Sequence, residues 1–294
     1  MSRRELLHGL IGCLLALACV SSLQAEELSR PQQRNLLSSP AAEGALIIVG
    51  GGPTAPEVYD EFMRLAGGKD AHLVHIPTAT SRFESIPNLR EYYNEWFDRH
   101  PQSVHFLHTR DRNVAQRADF AAPLAKASGV WIGGGDQNKL TEIYSGTPVV
   151  SAIHEVVARG GVVAGTSSGA AIMSDAMICD ETYTDLVVGR GFALCPKAVV
   201  DPHLSQRGRI ERVMRVLERK RDHIGIGVDE KTALVIQGDR VRVLGKGHVS
   251  FFVTDGQTGT ITRHRVEVGP SQIAAQFLAP ANTPALVSRD AKAN

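Results

Sequence analysis

Gly161-Val162-Val163-Ala164-Gly165-Thr166-Ser167-Ser168-Gly169-Ala170-Ala171-Ile172-Met173 is the stretch that decides the fold. It begins as a short apolar strand, and Gly165-Thr166-Ser167-Ser168-Gly169 matches G-x-S-x-G. In α/β enzymes this pattern marks a turn from strand to helix with the serine at its apex. The small residues that follow predict a helix over residues 169–177. Working outward, residues 45–49 form another apolar run, closed by Gly50-Gly51-Gly52-Pro53, and residues 129–132 a third, closed by Gly133-Gly134-Gly135. Short apolar runs bounded by glycine fit buried parallel strands. Further strands are expected at 71–76 and 104–107, with helical patterns at 56–66, 88–98, 115–127, 140–144 and 149–159. This alternation predicts an α/β fold, a mostly parallel sheet with helices on both faces. Sites in such sheets lie beyond the carboxyl ends of the strands, so the three glycine- or serine-rich turns should share one edge. Closely spaced runs at 224–228, 233–237, 241–244 and 249–253 predict a small antiparallel extension near the C-terminus.

The 294-residue chain carries 32 basic and 31 acidic residues, a balance that gives no reason to expect a nucleic-acid partner. Residues 1–25 read as a signal peptide: Arg3-Arg4, an apolar stretch, then a small residue at Ala25. Export to periplasm or medium follows from that reading, with no membrane attachment after cleavage. A membrane anchor and a lipid attached at Cys19 are the alternatives. Residues 26–44 are expected as a flexible lead-in, 45–278 as one hydrolytic domain, and 279–294 as a loosely ordered tail. Cys179 and Cys195 remain after the leader; the sequence leaves their pairing open. There is no His-Glu-x-x-His or paired C-x-x-C, so no metal or organic cofactor is called for.

A serine nucleophile needs a base, and the base an orienting acid. Ser167 is the expected nucleophile. Ser168 follows it as donor of one oxyanion-hole amide, and the Gly133-Gly134-Gly135 turn, centred on Gly134, offers a second. Among 11 histidines the best placed is His203, after the apolar run 198–200. His72 and His75 are expected to pack within a strand, and His223 to lie at the surface. The residues alone do not choose the acid between Asp201, Asp229 and Glu230.

Four separated segments carry a family resemblance. They are Gly134-Gly135-Asp136-Gln137, Gly165 to Ala170, Asp201-Pro202-His203-Leu204-Ser205-Gln206-Arg207-Gly208-Arg209 and Gly227-Val228-Asp229-Glu230-Lys231-Thr232-Ala233. Over roughly residues 45–255 their order and spacing resemble the cyanophycinase family of serine peptidases, related to peptidase E. The resemblance implies a flavodoxin-like fold, akin to class I glutamine amidotransferases. It implies cleavage of cyanophycin, an aspartate backbone bearing arginine on each β-carboxyl, to β-aspartyl-arginine dipeptides. It also implies Ser167 as nucleophile, His203 as base and Glu230 as acid, and it suggests a homodimer. The implied substrate pocket is Gln137, Asp201, Arg207, Arg209 and Arg212. Such a set suits a substrate rich in Asp and Arg, because arginine forks suit carboxylates and an aspartate suits arginine. Arg215, Arg219 and Arg221 read as a solvated helix face.

This chain departs from the family in places. Pro202-His203-Leu204 stands where Gln-His-Phe is usual, Gly52-Pro53-Thr54-Ala55 lacks the usual acids, and Ser168 replaces an alanine. These changes leave room for a peptidase E-like or isoaspartyl dipeptidase acting on small acidic peptides. A non-catalytic binding protein on the same fold is the reading from another class.

Overall fold

Strand β1 (Ala45–Val49) is buried along its whole length and pairs with a strand on either side. Its alternate residues serve two separate cores. Leu46 and Ile48 pack with Leu140, Ile153 and Val156, whereas Ala45, Ile47 and Val49 pack with Val58 and Phe62. Successive strand residues point to opposite faces, so both faces of this sheet are covered by helices. A computed structural model of the chain describes residues 44–270 except 183, 184 and 239. The expected leader, most of the lead-in and the tail from 279 lie outside the described residues.

The remaining strands are β2 (His72–Ile76), β3 (Ser103–Phe106), β4 (Gly129–Ile132), β5 (Val162–Thr166), β6 (Ala176–Glu181), β7 (Leu186–Arg190), β8 (Ala198–Pro202), β9 (Ile224–Val228), β10 (Thr232–Gln237), β11 (Arg240–Gly245), β12 (Val249–Thr254), β13 (Ile261–Val266) and β14 (Gly269–Pro270). The main sheet runs β14-β11-β10-β1-β5-β4-β2-β3. Strands β1, β5, β4, β2 and β3 are mutually parallel, and β10, β11 and β14 extend the sheet antiparallel beyond β1. The fold is therefore the expected α/β class with a mostly parallel core.

The C-terminal extension is divided rather than continuous. β9 and β12 join β8 and β13 in a second sheet of order β13-β12-β9-β8, while β10 and β11 stay in the first. The short link Asp229-Glu230-Lys231 between β9 and β10 thus passes from one sheet to the other. The helix Ile210–Arg219 covers the second sheet, with Val213, Val216 and Leu217 packed on Val199 and Phe252. β6 and β7 form a separate two-stranded hairpin.

Three helical expectations need correction. The helix after the serine spans only Ser168–Ala171, and β6 begins at Ala176. Small apolar residues suit helix and buried strand alike. The turn is settled by tertiary bonds: Ser174 Oγ accepts from Val200 N at 2.8 Å and Cys195 N donates to Met173 O. The 88–98 segment is two short helices, Leu89–Tyr92 and Asn94–Phe97, broken at Tyr93. The 115–127 segment is Arg112–Ala115, Ala118–Ala121 and a 3₁₀ turn at Ala122–Ala125. His75 packs as expected: burial holds it down to about 3, and its Nδ1 accepts from Trp96 Nε1 at 3.1 Å. His72 is exposed and bonds Ser103 Oγ at 2.8 Å, and the His223 side chain is only 9% exposed, beside Asp222. Cys179 and Cys195 are both free.

Candidate active site

At the end of β5 the chain turns sharply at Ser167, whose φ of 53° and ψ of −118° lie in a region side chains seldom enter. Such strain persists only where surroundings hold it. Ser167 N donates to Val49 O at 3.0 Å, and Ala170 N and Ala171 N donate to Ser167 O. The flanking glycines permit the approach. A Cβ on Gly165 would sit 2.0 Å from Gly169 O, and one on Gly169 2.1 Å from Ile132 O. Both glycines of the G-x-S-x-G string are therefore required by space.

His203 follows β8, the edge strand of the second sheet, also at positive φ (55°). Its amide donates to Gly50 O at 2.9 Å, tying the second sheet to the turn after β1. Ser167 Oγ lies 2.8 Å from His203 Nε2, and His203 Nδ1 lies 2.7 Å from Glu230 Oε1. Glu230 comes from the link between the sheets, and its amide donates to Gln206 Oε1 at 2.9 Å. The line Ser167–His203–Glu230 therefore draws on both sheets and their connection. A carboxylate on Nδ1 fixes the tautomer in which Nδ1–H donates to Glu230 and Nε2 accepts from the serine.

The other two candidate acids are elsewhere. Asp201 faces Arg212, and Asp229 accepts from Ser205 N at 3.1 Å and His248 N at 3.3 Å. Burial pulls the His203 imidazole below its ordinary value, and the Glu230 hydrogen bond opposes this. The net lowering favours the neutral ring, the form able to accept a proton.

The sequence pointed to the Gly50-Gly51-Gly52 turn as a strand end on this edge; its role emerges from space. A Cβ on Gly51 would lie 2.3 Å from His203 Cε1, and one on Gly52 2.9 Å from Glu230 Oε2. Across the site, Gly134 lies against the serine, with its Cβ position 3.1 Å from Ser167 Cβ. Ser168 opens the short helix, so its amide has no intrahelical acceptor. Ser168 Oγ donates to Gly135 O at 2.5 Å and lies 3.0 Å from Gln137 Oε1.

The model of peptidase family S51 matches residues 45–244. This chain belongs to peptidase family S51. It is a serine-type peptidase. It is 31% identical over 233 residues to a cyanophycinase of Geminocystis herdmanii, covering 75% of this chain and 84% of that one. It is 34% identical over 224 residues to a cyanophycinase of Trichormus variabilis, covering 71% and 74%. The crystal structure of a peptidase from an acI-B1 Actinobacterium shares the fold, with a TM-score of 0.61 at 23% identity over 77% of this chain and 95% of that one.

In this S51 peptidase a cleft of about 490 Å³ opens at Ser167. All five expected pocket residues line it, yet they are not equivalent. Asp201, 1% exposed, holds the Arg212 guanidinium through both oxygens, with Nε at 2.6 Å. Burial pushes the Asp201 carboxyl above the usual carboxylate range, and Arg212 and Arg209 oppose it. Asp201 is thus committed to protein arginines. Gln137 is committed too, donating to Ile178 O at 3.0 Å. Arg215, expected on a solvated face, lies 3.6 Å from Glu181.

Sequence reasoning missed Asp180, Glu181, Gln206 and the clearance at Gly51 and Gly52. Asp180 and Glu181 line the cleft from the hairpin, 20 or more residues from the nearest quoted motif after them. No local pattern marks them. Gln206 lay inside a quoted motif, without a role.

Proposed function

We propose that this S51 peptidase hydrolyses cyanophycin, or a related aspartyl/arginine polymer, to β-Asp-Arg dipeptides through an acyl-enzyme. The observation that carries this reading is the unbroken line from Ser167 Oγ through His203 to Glu230, at the head of a cleft holding both charges. Neutral His203 Nε2 takes the Ser167 proton as Oγ attacks the scissile carbonyl carbon. The oxyanion forms beside the amides of Ser168 and Gly134. Glu230 stabilises the imidazolium, which then protonates the departing amine. Water, deprotonated by His203, releases the acyl group and restores Ser167. The names of the relatives support cyanophycin as substrate.

The test is purified mature protein incubated with insoluble cyanophycin, its products identified by mass, beside a set of small Asp-X and isoaspartyl dipeptides. Release of β-Asp-Arg is expected, and Ser167→Ala should lose it by about 10⁴-fold or more with the fold retained. Cleavage confined to the small dipeptides would favour the second reading, a peptidase E-like enzyme. That reading draws on Pro202, which stands where the family pocket has glutamine. Export is likewise proposed, on the charge and apolar pattern of residues 1–25; protein retained in the cytoplasm with those residues still attached would count against it. A homodimer remains part of the proposal, read by light scattering of the mature protein.

A further inference from the structure

Charged side chains around the cleft divide into those with an ionic partner and those without. Arg209 Nη1 donates to Pro202 O at 3.0 Å and lies 3.6 Å from Asp201. Glu181 lies 3.5 Å from Arg212 and 3.6 Å from Arg215. With Asp201 and Arg212 joined, two exposed lining side chains have no ion pair among the described residues: Asp180 and Arg207. Asp180 Oδ1 accepts from the neighbouring Glu181 amide at 2.8 Å.

Asp180 reaches this wall through an irregularity in the hairpin. Ile178 pairs with Val188 and Asp180 with Val187, so Cys179 is an extra residue, a β-bulge. A regular strand turns every second residue away, whereas a bulge re-aims them. Here Ile178, Cys179, Asp180 and Glu181 all line the cleft. Gln137 Nε2 and Asn138 Nδ2 donate to the carbonyls of Ile178 and Cys179 at 3.0 and 3.1 Å. Ser168 Oγ in turn lies 3.0 Å from Gln137 Oε1, so the bulge is braced against the helix that follows the serine.

We propose that Asp180 is a specificity-determining residue that receives a cationic side chain of the substrate, a guanidinium or ammonium, while Arg207 takes a carboxylate of the same unit. This rests on the peptidase reading above and gives the arginine of the substrate a receptor. Asp201 cannot serve without breaking its buried pair with Arg212, which is costly. Asp180 and Arg207 have no such pair to give up, and one free anion with one free cation complements a zwitterionic unit.

Binding to Ser167→Ala protein, measured by calorimetry, tests this without turnover. The probes are β-aspartyl-arginine, β-aspartyl-lysine and β-aspartyl-leucine. Adding Asp180→Asn is expected to weaken the two cationic dipeptides about tenfold and leave the leucine dipeptide within about twofold. Asp180→Glu should recover part of the loss. Equal affinity for the arginine and leucine dipeptides before the change, equal loss on all three after it, or no binding of any probe overturns the assignment. Turnover is read separately with Ser167 intact. Asp180-dependent binding without cleavage of any aspartyl peptide overturns the proposed reaction and leaves the assignment standing. Cleavage with binding indifferent to Asp180 does the reverse.

Discussion

The two walls of the site are built differently. The wall of Ser167, His203 and Glu230 is held by backbone. Both Ser167 and His203 sit at positive φ, and each amide is bonded to the strand β1 or its glycine turn. The other wall, where the cleft opens, is held by charge. Asp201, Arg209, Arg212, Glu181 and Arg215 form a connected set of ion pairs, with Asp180 and Arg207 standing outside it. Backbone bonding can set atoms to within tenths of an ångström, as chemistry requires. Ion pairs on long side chains set a field and a shape, and a few unpaired members are left to meet a ligand. Presence in the cleft therefore does not make a charged residue a binding residue; its existing partners decide.

On the backbone wall, Glu230→Gln keeps the shape and removes the charge behind the imidazole, so kcat should fall about 10³- to 10⁴-fold. Stopped assays with an unchanged unfolding midpoint would check it. A smaller loss, about 10²-fold in kcat, is expected from Gly51→Ala, which places a methyl 2.3 Å from His203 Cε1. Near-normal turnover there would mean that the turn does not position the ring.

The charged wall should separate its arginines by what they do. Arg212→Ala leaves the buried Asp201 with only Arg209, 3.6 Å away, at a cost of about 3 kcal/mol in stability, read by urea unfolding. Arg207→Ala should leave stability within about 0.5 kcal/mol and raise KM about tenfold. If both variants behaved alike, the division between committed and free groups would fail.

The smallest effect lies in pH. Because burial lowers the His203 value below its ordinary 6.5, the imidazole stays neutral to more acidic pH; if it is the proposed base, the acidic limb of kcat/KM should lie below 6.5. The Glu230 hydrogen bond raises that value, so Glu230→Gln should move the residual limb to still lower pH. A limb that moved upward would contradict the sign. The pH profiles of the two proteins decide it.

Much of the backbone wall was legible in the residues themselves. The Gly165-Thr166-Ser167-Ser168-Gly169 elbow, the apolar runs before it and the glycine turns at neighbouring strand ends are short-range patterns. Their physics of close approach, strand burial and period is local, so the residues alone carry the α/β class and the strand-end turn at which Ser167 sits. The family resemblance, not the residues' spacing, singled out Glu230 from Asp201 and Asp229. Tertiary structure alone decided the rest. The division of the C-terminal strands between two sheets carries Glu230 under His203 and turns Asp201 toward Arg212. The bulge at Cys179 brings Asp180 into the cleft. The reason is that a side chain's partner depends on how distant strands are set against one another, and an ion pair or a steric clearance has no signature in the chain that carries only one half of it.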